Sequence, residues 1–141
     1  MPTIFSYILL TIITIFPVLS LGTMIFFTFI LTPTIFKFLP QAHAGPFVRK
    51  LFPIYYIFNS ILILVTVLSI ASLQIFNAIF YANLFVFTLF IVCQFYLMPA
   101  INKNQDKKNK RQFKILHASS VAINFVQIFM LLVITYWLFD Y

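Results

Sequence analysis

Few side chains in this chain of 141 residues could take part in acid–base, nucleophilic or metal chemistry: two histidines, one cysteine and two acidic residues. Asp106 and Asp140 make no carboxylate pair for general acid–base work, and His43, His117 and Cys93 lack the spacing of a metal-ligand cluster. A single cysteine excludes an intramolecular disulfide and a cysteine-based metal site. Inside its apolar run, Cys93 reads as a small buried residue. Gly22 and Gly45 stand too far apart for a phosphate-cradling loop or a GxxxG helix-pairing motif. No catalytic residue and no resident metal are expected.

What remains is a set of uncharged polar stripes. His117, Ser120, Asn124 and Gln127 are spaced 3, 4 and 3 apart, which puts them on one helix face. Tyr55, Asn59, Thr66 and Ser69 share a face in the same way, and Asn83 aligns with Gln94 three turns on. Polar groups in lipid must find partners, so these faces should point inward. Two readings follow. Either the stripes are interhelical hydrogen bonds that hold helices together, or Tyr55, Asn59, His117, Ser120, Asn124 and Gln127 line a polar cavity open to the cytoplasm. His117, one turn from Lys114, suits an interfacial or capping histidine. It could otherwise be an axial ligand to haem, with Arg49, Lys50 and Lys114 pairing to the propionates. His43, beside Gly45 and Pro46, reads as a loop residue.

The elements that position these stripes follow from composition. The chain is 63% hydrophobic, 20% aromatic and 8% charged, against about 25% charged in soluble domains. With a mean hydropathy of +1.07 this excludes a soluble enzyme, a nucleic-acid-binding domain and a disordered chain. The excess of Phe, Ile, Asn, Lys and Tyr is what AT-rich codon supply produces and is not read as a binding surface.

No charged side chain occurs in 1–36, 51–102 or 115–139. A bilayer core of about 30 Å needs about 20 helical residues, so these runs supply one, two and one spans. The polar Gln74–Ala78 segment marks the turn in the middle run. The expected architecture is an all-α four-transmembrane-helix bundle in a single domain, with helices over 5–36, 51–73, 78–100 and 113–138 and loops over 37–50 and 101–112. Pro17 should kink the first helix. That helix has no basic n-region and far exceeds a signal-peptide core, so it is expected to be retained.

All nine basic residues fall in the first and third connections: Lys37, Arg49 and Lys50, then Lys103, Lys107, Lys108, Lys110, Arg111 and Lys114. The positive-inside rule makes that side cytoplasmic and puts both termini outside. Tyr136, Trp137 and Tyr141 then fit an outer interfacial belt. Arg49, Lys50, Lys107, Lys108, Lys110, Arg111 and Lys114 are expected to touch anionic lipid headgroups or carboxylates. No nucleic-acid partner is expected, because the run from Lys103 to Lys114 has one aromatic, Phe113, at its very end rather than interleaved through it, and contains Asp106. An internal duplication also shows: Leu31-Thr32-Pro33 and Leu97-Met98-Pro99 each precede a basic segment and then a helix bearing Asn59 or Asn124. Such a repeat would be parallel, about an axis along the membrane normal.

Gly22, Phe26, Phe27, Pro33 and Phe36, then Ala44-Gly45, Leu51-Phe52-Pro53 and Tyr55-Tyr56, then Pro99, Ile101-Asn102, Asp106, Phe113, Leu116-His117, Ser120 and Asn124 form three ordered blocks. They resemble a small integral-membrane family of unknown function, domain of unknown function 4149, which includes bacterial inner-membrane proteins and the animal transmembrane protein 205. Gln105 departs from the pattern, standing where a basic residue often precedes the acid. The resemblance implies four helices, a bacterial inner membrane and a polar cytoplasmic face, with no reaction attached. The residues themselves favour a non-catalytic accessory or binding subunit, packed against another membrane protein or a second copy and holding no cofactor. The alternatives are a haem-linked membrane redox protein and a small-molecule transporter without intramembrane charges.

Overall fold

Lipid offers no hydrogen bonds to a backbone, so an apolar chain crosses it as helices that satisfy their own N–H and C=O groups. The computed structural model, which describes residues 3–140, has four helices long and apolar enough to span a membrane: α1 (Ile4–Phe38), α2 (Gln41–Ser72), α3 (Ala78–Asp106) and α4 (Lys110–Asp140). Among the described residues there is no strand. The chain is a multi-pass membrane protein built as an up-down-up-down bundle. In section the helices form a square, with α1 and α3 each packed on both α2 and α4.

The turns are short, and two are closed by the same device. Gln74 (φ 56°) and Lys108 (φ 55°) take left-handed backbone just after α2 and α3. There the N–H of Ile75 reaches back to the Ile70 carbonyl and that of Asn109 to Asn104, a Schellman closure. Asn77 then caps α3 by accepting from Ile79 N and Phe80 N, and Asn109 Oδ1 accepts from Gln112 N near the start of α4. The turn expected at Gln74–Ala78 is thus present, built from residues 73–77.

The helix bounds differ from those expected at the basic end. Residues 37–50 are largely helical, interrupted only at Leu39 and Pro40, and α3 runs on to Asp106. Charge marks where a chain leaves lipid. It does not end a helix, because a helical backbone is as well satisfied in water as in the bilayer. Helix α1 runs on unbroken past Pro17. The irregular turns lie elsewhere, at Phe27–Leu31 and Cys93–Leu97, where the backbone takes π-helical bonding. Thr32 N–H donates to Phe27 O and Met98 N–H to Cys93 O, one residue farther back than in an α-helix. Each wide turn ends two residues before a proline, Pro33 or Pro99, whose ring would otherwise crowd the carbonyl four residues back. The Leu-Thr-Pro and Leu-Met-Pro segments that suggested a duplication therefore share a backbone distortion as well as a sequence.

The core is filled by Met24, Ile63, Val86, Phe90, Leu131 and Ile134, all essentially without solvent contact. Large apolar side chains also cover the outside, among them Phe29, Ile57, Phe85 and Phe129, as lipid-facing surfaces require. Trp137 sits at the end of the bundle opposite the basic residues, where it lines one recess with Leu10, Ile70 and Ile79. Tyr141, expected beside it, lies outside the described residues.

Candidate functional site

A chain of hydrogen bonds ties three of the four helices together. Asn59, fully buried on α2, is its centre. Its Oδ1 accepts from Ser20 Oγ (2.7 Å) and lies 2.9 Å from Thr23 Oγ1, both on α1. Thr23 Oγ1 is also 2.8 Å from the Ser20 carbonyl, so its single proton is shared. Asn59 Nδ2 donates to the Tyr55 carbonyl (2.9 Å) one turn back. The Tyr55 hydroxyl crosses the bundle diagonally and donates to Asn124 Oδ1 on α4 (2.8 Å), and Asn124 Nδ2 donates to Thr28 Oγ1 on α1 (2.9 Å). Thr28 lies within the first wide turn. The Tyr55 ring is held by stacking on Phe27, with centroids 4.2 Å apart.

Toward the basic end this network opens into a cleft. One pocket of about 180 Å³ is lined by Thr28, Thr32, Tyr55, His117, Ser120 and Asn124 together with aromatic and aliphatic walls. A second, of about 140 Å³, adjoins it through Thr32, Phe52, His117 and Ser120 and reaches Arg49, Asn102 and Gln105. The structure thus brings Tyr55, His117, Ser120 and Asn124 to one place. Asn59 lies deeper, bonded to Tyr55 rather than lining either pocket.

His117 is exposed, its ring lying flat against Phe113 at 5.8 Å and 3°. Ser120 spends its hydroxyl on the His117 carbonyl. Gln127 belongs to neither pocket; it is fully buried, and both its amide atoms lack a hydrogen-bond partner among the described residues. Thr66 and Ser69 bond their own helix backbone, so the lower part of the α2 stripe links no helices.

At the mouth, Arg49 on α2 grips Asp106 at the end of α3 with two parallel hydrogen bonds of 2.8 Å. Both residues lie beyond the charge-free stretch of their helices. The hydrogen-bonded guanidinium holds the Asp106 carboxyl below its ordinary value, and the same bond raises Arg49. This pair was missed in the sequence, although one signal was available: Asp106 is the single acid amid a run of basic residues. Ser20, Thr23 and Thr28 were also missed, because one hydroxyl per turn in an apolar helix makes no conspicuous stripe. Lys50, Lys107, Lys108, Lys110, Arg111 and Lys114 are exposed around the same end and line neither pocket. Among the described residues no group of three His, Cys, Asp or Glu side chains could hold a metal ion.

A family profile described as "Domain of unknown function (DUF4149)" matches residues 15–110, more than half of the chain. The chain belongs to that family. No curated protein and no solved structure matches it. The span shared with the family holds Ser20, Thr23, Thr28, Arg49, Tyr55, Asn59 and Asp106. His117, Ser120, Asn124 and Gln127 lie beyond it, on α4.

Proposed function

We propose that this DUF4149 protein is a non-catalytic accessory or binding subunit of a bacterial inner membrane. Its basic end would face the cytoplasm, and the start of α1 and the end of α4 would face outward. The observation that carries this reading is how the embedded polar groups are used. Tyr55, Asn59 and Asn124 spend their hydrogen bonds tying α1, α2 and α4 to one another, so none is left as a poised nucleophile or base. The gathering of basic residues at one end supports the orientation. The apolar outer faces are available to a second membrane chain or another copy. Native mass spectrometry in a mild detergent tests this. A homo-oligomer or a co-purifying membrane protein is expected, and a strict monomer alone in every preparation would overturn it.

A second reading, a haem-linked redox protein, is favoured by one observation: His117 and Arg49 line the same pocket, as an axial imidazole and a propionate partner would. A visible absorption spectrum separates the two. A Soret band lost on His117→Ala would replace the first reading with the second, whereas a colourless protein that takes up no added haem removes the second.

A further inference from the structure

We propose that the cleft at the basic end binds the phosphate-bearing headgroup of an anionic lipid, with Arg49 receiving the phosphate in place of Asp106. The site is built from both the chemistry and the position of Arg49. Arg49 lines the outer of the two basic-end recesses, beside Asn102, Gln105 and His117, while its guanidinium presents its two-pronged edge to Asp106. That edge fits a phosphate as well as it fits a carboxylate, because the donors are planar and fixed in a fork.

Asp106 is a weakly held occupant. Its side chain is 62% exposed and it does not line the recess. A carboxylate in water gives up little when another anion displaces it, since an exposed pair is screened and nearly balanced by hydration. It is also the one acid at an end that carries all nine basic residues, so the local field favours exchange for a further anion. His117 adds a second polar contact: its ring nitrogens have no hydrogen-bond partner among the described residues.

The occupant is a lipid rather than a free anion because of what surrounds the fork. Lys50 closes the charge-free run that begins at residue 51, which puts Arg49 at headgroup depth in a bilayer. The same recess also carries Phe36, Phe52, Phe113, Met98 and Ile101, side chains that suit the first carbons of an acyl chain and give a hydrated phosphate ion no contact. This site is independent of the accessory-subunit reading, which could fail without touching it.

The experiment measures lipid retention by native mass spectrometry and titration on the full chain in a neutral detergent. Phosphatidylglycerol is the probe, phosphatidylcholine the zwitterionic control and inorganic phosphate the soluble competitor. Wild type should retain phosphatidylglycerol over phosphatidylcholine. Arg49→Gln should weaken that retention about tenfold, the loss of a charged bidentate contact. Arg49→Lys should fall between the two. Asp106→Asn, which frees the fork, should tighten retention several-fold, while Lys108→Gln outside the cleft should change it less than twofold. Opposite signs for the Arg49 and Asp106 variants are the signature. A plain clasp between helix ends would weaken alike in both, and that result overturns the proposal. Equal retention of the two lipids also overturns it, as does full competition by inorganic phosphate. Should Arg49→Gln fail to fold, the sign of the Asp106→Asn change alone decides the matter.

Discussion

The two sides of the bundle handle buried polarity in opposite ways. Where α1, α2 and α4 meet, the amides of Asn59 and Asn124 and the hydroxyls of Ser20, Thr23 and Tyr55 share partners at 2.7–2.9 Å. Along α3 and the second half of α4, the side-chain oxygens of Asn83 and Gln94, both amide atoms of Gln127 and the Thr135 hydroxyl have no partner among the described residues. The first region is a fastened hub. The second is a seam held by shape, where Val86, Phe90, Leu131 and Ile134 provide the contacts. In lipid, where apolar side chains gain little by leaving the solvent, hydrogen bonds and close packing are what distinguish one helix arrangement from another. The hub should therefore set which helices are neighbours, and the seam should be the side that gives way.

The largest effect should come from the hub's centre. Asn59→Leu removes the acceptor for Ser20 and the shared one for Thr23 and strands a buried hydroxyl. A loss of about 2–3 kcal/mol is expected in reversible unfolding in mixed micelles. A loss below about 0.5 kcal/mol would mean that the hub is decoration and that packing alone selects the arrangement.

How far the sequence foretold this contrast depends on the residue. The four spans follow from the charge-free runs, because the energetic cost of burying Lys, Arg or Asp admits few alternatives. Asn59, Asn124 and Tyr55 were legible as inward-facing, because helical periodicity fixes a face without knowing its neighbour. Their partners were not, since Ser20, Thr23 and Thr28 become acceptors and donors only through the lateral placement of α1, which no local pattern encodes. The same limit hid the difference between Asn124 and Gln127. They lie on one stripe a turn apart, yet the first meets Thr28 and Tyr55 and the second finds no hydrogen-bond partner among the described residues. The ends of the helices were misplaced for another reason: charge reports the edge of the bilayer, and α2 and α3 continue past it to bring Arg49 to Asp106.

Two smaller changes sharpen the comparison from either side. Tyr55→Phe deletes one hydroxyl and leaves Asn124 Oδ1 without its donor, and about 1 kcal/mol should be lost in the same assay. Gln127→Met keeps the volume and removes an amide that has no partner. It should raise stability by about 0.5–1 kcal/mol, because the desolvation cost disappears and no bond is given up. The opposing signs are the point: two polar-to-apolar changes in the same bundle, one harmful and one beneficial. A clear loss on Gln127→Met would instead show that the seam's amide is satisfied in the membrane, and the distinction between hub and seam would fall.

The smallest effect belongs to the pair at the basic end, and its sign follows from linkage. The Arg49 guanidinium depresses the Asp106 carboxyl below its unfolded value of about 3.9, so in the folded state the acid stays ionised at lower pH than it would in the unfolded chain. A depressed acid stabilises fully above its unfolded value, and that contribution drains away as pH falls through the folded one. Arg49 stays charged throughout and adds no slope of its own. Wild-type stability should therefore decline more than that of Asp106→Asn as pH falls below about 4, with the two curves converging at the acid end. The gap between them at neutral pH should be small and should shrink further in high salt, because Asp106 is exposed and the pair is screened. Parallel curves would show that Asp106 is not held by Arg49 in solution, leaving α2 and α3 joined at this end only by the apolar contacts beneath.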